Sequence, residues 1–309
     1  MSSLTAADHY ERFGWLIFGA AGCVIGWVFT HQLEVFERPI PVQQFGGDDG
    51  TSLFIKDLSF DLLRAETDTV STIMTYIYAG LIPIVLQIAL AWKFGPQSDI
   101  YDTVVVYLVT MGVSLLATEP VKWYVSWLRP NFYEMCEPDE ETFTVCHGPE
   151  PSGEARHSFP SGHSVTAFGG LTVLTYYLHF RYGVPAFLRS LRKQKRQKSQ
   201  SQTAHAEGDN NQEEQTSSEH KSIDNDGFNE KRRRLNRHRI VSIAALILPQ
   251  GLAIFISSSR IHDNRHFPAD VIAGALIGSI TALFVAPLWW FEDCDGYWED
   301  GDDSSGEIE

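Results

Sequence analysis

Several familiar signatures are missing from this sequence of 309 residues. It contains no P-loop, no zinc-type spacing of cysteine and histidine, and no N-x-[ST] glycosylation sequon. It therefore carries no motif for cradling nucleotide phosphates and none for a structural zinc ion. Overall hydropathy is also low. A mean hydropathy of −0.13 with 44% hydrophobic residues would suit an ordinary soluble enzyme.

The low mean hydropathy conceals long uncharged runs, since the charged residues are gathered into a central linker and an acidic tail. A helix that crosses a bilayer needs about 20 mostly apolar residues. We predict six spans, at 13–30, 70–92, 103–118, roughly 164–180, 240–258 and 271–291. The alternative is a soluble helical bundle, which is disfavoured because six such runs are hard to bury in so small a chain.

Lysine and arginine are concentrated between the fourth and fifth runs. The segment 181–239 carries 14 of the 24 basic residues, so the positive-inside rule places it in the cytosol. With six spans both termini are then cytosolic, and the loops after spans one, three and five face the extracytoplasmic or luminal side. The first run lacks the basic flank and small-residue cleavage site of a signal peptide, and we interpret it as an anchor.

The predicted fold is an all-α integral membrane bundle of six transmembrane helices with a disordered cytosolic loop and an acidic tail. Its parts are spans one to four with two of the motifs below (1–190), a low-complexity cytosolic linker expected to be largely disordered (191–239), spans five and six with a third motif (240–291), and an acidic cytosolic tail (292–309). Cys136 and Cys146 share one extracytoplasmic loop, where a disulfide is permitted but not required.

Three clusters of basic residues and histidines lie at the ends of predicted spans, all on the extracytoplasmic side. They are Lys122 with Arg129 and Pro130, then Pro160, Ser161, Gly162 and His163, then Ser259, Arg260, His266 and Asp270. Charge beside hydrocarbon is costly and is usually retained for function. The clusters supply cations to hold an anion, two imidazoles and a carboxylate, which is the equipment of a phosphate-handling site.

The first two clusters also have simpler explanations. Lys122 and Arg129 are seven residues apart and would point the same way on a helix, but two interfacial cations reaching for headgroups would look alike. Ser161 is a good N-cap, and Gly162 allows close backbone approach to an anion at the start of a helix. Capping alone would explain that pair.

The third cluster combines a histidine with a carboxylate. The i, i+4 spacing of His266 and Asp270 can bring the carboxylate to the far nitrogen of the ring. Such a partner fixes the tautomer, leaves the other nitrogen as a nucleophile and stabilises the imidazolium that forms. A surface histidine near a helix cap is the simpler alternative, but it does not explain why all three clusters emerge on one membrane face.

Taken together, the clusters resemble the three-part signature of the type-2 phosphatidate phosphatase superfamily. The matching segments are Lys122-x6-Arg129-Pro130, Pro160-Ser161-Gly162-His163 and Ser259-Arg260-x5-His266-x3-Asp270. The six-span layout is similar to that of the lipid phosphate phosphatase branch. By this resemblance the phosphoryl oxygens would be held by Lys122, Arg129, Ser161, Gly162 and Arg260. His266 would form a phosphohistidine, Asp270 would orient it, and His163 would protonate the leaving alkoxide.

The resemblance implies a metal-independent lipid phosphate monoester hydrolase, for example one that converts phosphatidate to diacylglycerol and phosphate. It implies no cofactor, because cations do what Mg²⁺ does elsewhere. The expected partners are a lipid phosphate substrate and membrane lipids, with no nucleic acid, while a homo-oligomer and the choice of plasma membrane or endomembrane stay open. The alternatives are a phosphatase for sphingoid-base phosphate, polyisoprenyl diphosphate or sugar phosphate, a silent scaffold or transporter, and a vanadate-dependent halide oxidase.

Neighbouring residues receive no role at this point. His157, His262, Arg156 and Arg265 lie close to the clusters in sequence, and solvation of the loops explains them adequately. The acidic loop 34–68 shows no catalytic pattern.

Overall fold

The computed structural model describes residues 6–31, 36–46, 52–95, 98–139, 143–148, 152–206 and 220–290. The helices in these ranges are α1 (Ala6–His31), α2 (Thr72–Tyr76), α3 (Ile82–Phe94), α4 (Ser98–Val125), α5 (Phe132–Cys136), α6 (Ser152–Ala155), α7 (Gly162–Tyr182), α8 (Val184–Ala206), α9 (His220–His262), α10 (Pro268–Val285) and α11 (Pro287–Trp290). A π-helical stretch joins α2 to α3 without a break. The strands β1 (Val42–Gly46) and β2 (Ser52–Lys56) form an antiparallel pair, and a short 3₁₀ helix follows at Leu58–Phe60.

Five helical segments of the described chain are long and apolar enough to cross a membrane, which confirms the all-α membrane bundle. They are Tyr10–Phe29, Thr72–Phe94, Ser98–Val125, Phe228–His262 and Pro268–Trp290. The remaining predicted span falls on α7, whose threonines, tyrosines and glycines make it less apolar than the others. Many α7 side chains are buried in the protein, among them Val165, Leu171 and Val173, so the helix does not need an uninterrupted apolar surface. The count of six spans stays a prediction.

The chain divides into two compact units, Met1–Leu174 with Gln250–Glu309, and Thr175–Pro249. All residues of the three clusters lie in the first unit. In the second unit the end of α7, α8 and the N-terminal part of α9 pack together, with Phe187 and His238 rings 5.5 Å apart. His238 Nδ1 lies 2.6 Å from the carbonyl oxygen of Tyr182.

Helices α8 and α9 extend into the linker that we predicted to be largely disordered. They cover residues 191–206 and 220–239, which contain no proline and many lysine, arginine and glutamine residues. Those side chains have high intrinsic helix propensity, a property that an interpretation based on low complexity overlooks. The rest of the linker and the predicted acidic tail at 292–309 lie outside the described residues.

In the first unit, glycines allow the helices to approach closely. Helix α1 packs along α4, and α10 also packs on α4. A Cβ atom added to Gly22 would lie 2.9 Å from the backbone of Gly112, and one added to Gly274 would lie 2.5 Å from the carbonyl oxygen of Ser161. Real side chains do not tolerate such distances, so both positions require glycine. The Gly274 contact brings the start of α10 against the start of α7.

A small apolar cluster packs around the segment after α4 that carries Arg129. It includes Leu128, Phe132 and Tyr133, and a disulfide joins Cys136 to Cys146. The Tyr133 hydroxyl donates to the carbonyl oxygen of Pro41 at 2.5 Å. These contacts anchor the segment after α4 to the loop that leads to the β1–β2 pair.

Candidate active site

The first cluster is split between the end of α4 and the loop that follows it. Lys122 lies in the last turn of α4, and its Nζ is 2.7 Å from Glu119 Oε1, the i, i+3 partner expected from the spacing. The helix ends at Val125, and Ser126 adopts a left-handed conformation with φ 46°. Lys122 and Arg129 therefore do not share a helical face.

Arg129 reaches the site from the loop. Its backbone N–H donates to the carbonyl oxygen of Ala155 at 2.9 Å, which fastens the loop to α6. Its Nη2 lies 2.9 Å from Glu154 Oε1. The charge of Arg129 lowers the pKa of Glu154 below its usual range, so the carboxylate is ionised at neutral pH and forms a true ion pair with the guanidinium.

The second cluster places small polar groups beside Lys122. A Cβ atom added to Gly162 would lie 3.2 Å from Lys122 Nζ, so the ammonium group rests against the first turn of α7. Ser161 Oγ, His163 Nε2 and Ser164 Oγ are buried and have no hydrogen-bond partner among the residues that the structure describes. Buried polar atoms are normally satisfied, and an anionic ligand at the N-terminus of α7 would supply the missing partner.

The third cluster begins with a deeply buried arginine at the end of α9. Arg260 is 2% exposed, and its Nη1 donates to the carbonyl oxygen of Val70 at 2.8 Å. Asp68 Oδ1 lies 3.5 Å from Nη2 and Asp263 Oδ2 lies 3.5 Å from Nη1. Two carboxylates thus offset the cost of burying this charge.

His266 follows in the turn between α9 and α10. Its Nδ1 lies 2.8 Å from the carbonyl oxygen of Ser158, which can only accept a hydrogen bond. Nδ1 is therefore the protonated nitrogen, and Nε2 keeps its lone pair. Burial lowers the pKa of His266, which also favours the neutral ring. The imidazole is in the state that a nucleophile requires.

Asp270 does not form the direct hydrogen bond to the His266 ring that the i, i+4 spacing predicts. Its Oδ2 is 3.6 Å from His266 Nδ1, which is too long for a hydrogen bond. The same oxygen accepts from Ser158 Oγ at 2.5 Å and from the backbone N–H of Phe267 at 2.9 Å. Asp270 thus fixes the segment whose carbonyl holds His266, while the carbonyl oxygen of Asp270 accepts from Ser161 N–H at 3.0 Å.

The three clusters meet around one imidazole. His163 interacts electrostatically with Arg260, His266 and Arg129, and His266 with Arg129 and Lys122. All eight predicted site residues are connected by these interactions, the Lys122–Gly162 contact, the Ser161–Asp270 hydrogen bond and the 3.6 Å approach of Asp270 to His266. The arrangement offers cations, unpaired donors and two imidazoles to one anion.

Several residues of the site were not singled out in the sequence. They are Asp68, Thr69, Glu154, Ser158 and Asp263. Ser158 and Glu154 lie near the second cluster, so proximity alone was available as a signal. Asp68 and Thr69 precede the second span, where no sequence motif marks them.

Comparisons with known proteins agree with this geometry. The model of the PAP2 superfamily matches residues 103–293. The chain is 27% identical to lipid phosphate phosphatase 1 of Arabidopsis thaliana over 237 residues, covering 74% of this chain and 58% of that protein. It is 25% identical to probable lipid phosphate phosphatase 4 of the same plant over 278 residues, covering 87% and 70%.

A putative phosphatidate phosphatase of Drosophila melanogaster is 24% identical over 207 residues, covering 61% of this chain and 41% of that protein. The chain thus spans less than two thirds of the length of two of these three relatives. No solved structure matches it significantly. Because the family model covers well over half of the chain, including all three clusters, the protein belongs to the PAP2 superfamily, as its motifs predict.

Proposed function

We propose that the protein is a lipid phosphate phosphatase, an enzyme that hydrolyses the phosphate monoester of phosphatidate or a related lipid. The observation that carries this proposal is that Ser161 Oγ and His163 Nε2 are buried without a hydrogen-bond partner among the described residues, at the helix start against which Lys122 Nζ lies. Two imidazoles amid cations suit a phosphoryl group better than any uncharged substrate. The Arabidopsis relatives are named as lipid phosphate phosphatases and the Drosophila relative as a putative phosphatidate phosphatase, which supports the same class of reaction.

The proposed chemistry uses covalent catalysis in two steps. Lys122, Arg129 and Arg260 hold the phosphoryl oxygens together with Ser161 and Gly162. The Nε2 lone pair of His266 attacks phosphorus, a P–N bond forms, and the P–O bond to the lipid breaks as His163 protonates the departing alkoxide. Water then attacks the phosphohistidine, gives up a proton to His163, and releases phosphate with return of the electron pair to Nε2.

Fixed cations make a metal ion unnecessary in this scheme. Charge that develops on the equatorial oxygens is stabilised by preorganised donors in a site shielded from water. Arg260 is held by three oxygen-bearing groups, so it needs little reorganisation during the reaction. We therefore propose that hydrolysis by this enzyme does not require a metal ion.

The location of the site favours an amphiphilic substrate. Lys122, His163 and Arg260 lie in the terminal turns of α4, α7 and α9, where a membrane-embedded lipid would present its headgroup. We place this end on the extracytoplasmic or luminal side and both termini in the cytosol, because the basic residues collect in the segment 181–239. A sphingoid-base phosphate or a polyisoprenyl diphosphate would fit the same reasoning.

The test is phosphate release by purified protein in detergent micelles with EDTA present. The panel contains phosphatidate, a sphingoid-base phosphate, a polyisoprenyl diphosphate and a soluble sugar phosphate, and His266→Ala serves as the inactive control. We expect lipid phosphates to be hydrolysed by the wild type and not by the variant. Absence of release from every lipid would refute the proposal, and activity that requires added metal would refute metal independence.

A further inference from the structure

The loop before α2 lies against the third cluster. Asn264 Nδ2 donates to the carbonyl oxygen of Leu63 at 2.7 Å, and the backbone N–H of Ala65 points to the carbonyl oxygen of Asp263 at 3.4 Å. Thr69 donates to the Asp263 carboxylate twice, from its backbone N–H at 2.9 Å and from its hydroxyl at 2.6 Å. The loop is thus attached to the turn that carries Arg260 and His266.

Within this loop, Asp68 connects two arginines of the third cluster. Its oxygens accept from Arg265 Nε at 3.0 Å and from Arg265 Nη2 at 3.2 Å, a two-pronged contact that fixes the plane of the carboxylate. With that plane fixed, Oδ1 also lies 3.5 Å from Nη2 of Arg260. Burial opposes ionisation of Asp68, but the hydrogen bonds from Arg265 and the charge of Arg260 lower its pKa, so the carboxylate carries its charge at neutral pH.

The contacts of Arg260 leave Nε–H and one hydrogen of Nη2 for the substrate. Nη1 is taken by the carbonyl oxygen of Val70 at 2.8 Å, with Asp263 next to it, and Nη2 faces Asp68. Nε is buried and has no hydrogen-bond partner within the described part of the chain. Because the guanidinium is planar, holding its two outer nitrogens sets the direction of the Nε–H bond.

We propose that Asp68 is a positioning residue for the phosphate clamp, acting through Arg260. Arg265 locks the carboxylate of Asp68, and that carboxylate holds Arg260 so that its Nε–H faces the phosphoryl group. The inference rests on the proposed function, since it names a residue that serves the same site. Asp68 lies outside the part of the chain that the family model matches, in a loop where the sequence shows no catalytic pattern.

The charge balance explains why a carboxylate is needed. Arg260 and Arg265 both lie against Asp68, at 3.5 and 3.0 Å from its Oδ1, so two like charges are held side by side and repel each other. An ionised group between them offsets this repulsion without contacting the substrate. Replacing Asp68 with asparagine keeps the size of the side chain but removes the charge, so both arginines would move away from each other.

The primary experiment measures kcat, KM and vanadate affinity for Asp68→Asn, with Asp61→Asn as the matched control. Asp61 is an exposed carboxylate in the same loop. We expect Asp68→Asn to lower kcat by about 10- to 100-fold, the range typical of residues that orient a reactive group, and to weaken vanadate binding. KM should change less, and Asp61→Asn should behave as the wild type. Equal behaviour of the two variants would overturn the proposal.

A double-mutant cycle separates positioning from a general structural role. In an Arg260→Lys background the planar guanidinium that Asp68 holds is absent. Asp68→Asn should therefore lower kcat much less than it does in the wild type. Arg265→Gln should lower kcat in the same direction as Asp68→Asn, and the two losses should not add. Full additivity with Arg260→Lys would show that Asp68 acts elsewhere, and would overturn the proposal.

Two further measurements keep the test decisive. If Asp68→Asn is recovered only as aggregated protein, Asp68→Glu replaces it. That variant retains the charge on a longer side chain and should keep an intermediate kcat, whereas wild-type kcat would count against a need for exact placement. Vanadate binding by calorimetry is independent of turnover. A wild type that binds vanadate but hydrolyses no lipid phosphate would refute the proposed function alone, and weaker vanadate binding in Asp68→Asn would still support the role of Asp68.

Discussion

His266 is held by Ser158: the Nδ1 atom of the ring lies 2.8 Å from the carbonyl oxygen of that serine. Asp270, four residues further along in the first turn of α10, is 3.6 Å from the same nitrogen and instead accepts a hydrogen bond from the Ser158 hydroxyl. The carboxylate therefore orients the imidazole through the serine. The i, i+4 spacing favours a direct hydrogen bond between carboxylate and imidazole. The structure instead has a relay of two contacts, one between Asp270 and the Ser158 hydroxyl and one between the Ser158 carbonyl oxygen and His266.

The first prediction concerns this relay. Ser158→Ala keeps the carbonyl that binds His266 but removes the hydroxyl that attaches the segment to Asp270. We expect kcat to fall by about 10- to 100-fold, as for other groups that orient a reactive imidazole. Asp270→Asn should cause a comparable loss, and the double variant should lose little more than either single one. Ser59→Ala, in an exposed turn, is the control. Losses that multiply would indicate that Asp270 and Ser158 act independently.

The second prediction concerns His163. If its imidazole protonates the leaving alkoxide, His163→Ala should slow hydrolysis of glycerolipid phosphates much more than that of activated aryl phosphates, whose leaving groups need little help. The measurement is kcat/KM for both substrates, with a stopped assay for trapped phosphoenzyme. Equal losses on the two substrates would argue against a role as general acid and in favour of simple phosphate binding.

The third prediction concerns pH. Histidine has an ordinary pKa of about 6.5, and burial lowers the pKa of His266. The ring therefore remains neutral, and able to attack phosphorus, as the pH falls through 6.5. The acid limb of kcat/KM should lie below that pH. Two substrates whose phosphate pKa values differ should be compared, because a limb that moves with the substrate belongs to the substrate. An acid limb that belongs to the enzyme and lies at or above pH 6.5 would contradict a buried neutral nucleophile.

The fourth prediction concerns the ion pair between Arg129 and Glu154. The carboxylate lies 2.9 Å from Nη2 of Arg129 and competes with an incoming anion for this donor. Glu154→Gln should tighten vanadate binding by about 2- to 5-fold, the size expected for a partly exposed pair. The control is Glu66→Gln, at an exposed position in another loop. Weaker binding in Glu154→Gln would mean that the carboxylate holds Arg129 in place instead of competing for it.

The fifth prediction concerns membrane topology. In a variant with Cys23 and Cys294 replaced by serine, single cysteines are introduced at Gln194, Asn236 and Leu58, which are exposed in the structure. Impermeant thiol reagents should label the first two only from the cytosolic side, because the surrounding segment is strongly basic, and Leu58→Cys only from the opposite side. Labelling of all three from one side would overturn the predicted orientation and the placement of the site.

The class of protein was readable from the sequence, and so were the residues proposed for the site. Long uncharged runs require a membrane environment whatever their tertiary arrangement, because no soluble chain of this size hides them. The residues Lys122, Arg129, His163, Arg260 and His266 belong to motifs with short fixed spacings. Such spacings can be recognised in the sequence because each motif is confined to a single helix end and its adjoining loop.

Other features were visible only in part. The helical content of the linker was missed, because low complexity indicates disorder while its lysines, arginines and glutamines favour helix. Helix α7 was counted as a span although its apolar run is slightly short, and the burial of polar side chains such as Ser164 and Thr166 explains its composition. The composition of a helix reflects its average surroundings. It does not show whether the side chains face lipid or other parts of the protein.

The sequence by itself determined the family and the membrane character and marked the residues of the proposed site, since each is encoded in local runs and spacings. Only the tertiary structure decided how these groups are held. Thr69 and Asp263 are bonded across 194 residues of chain, and Asp68 meets Arg260 and Arg265 across a similar interval. Contacts of that kind arise when helices pack and bring distant loops together, and no pattern along the chain records which loops will meet.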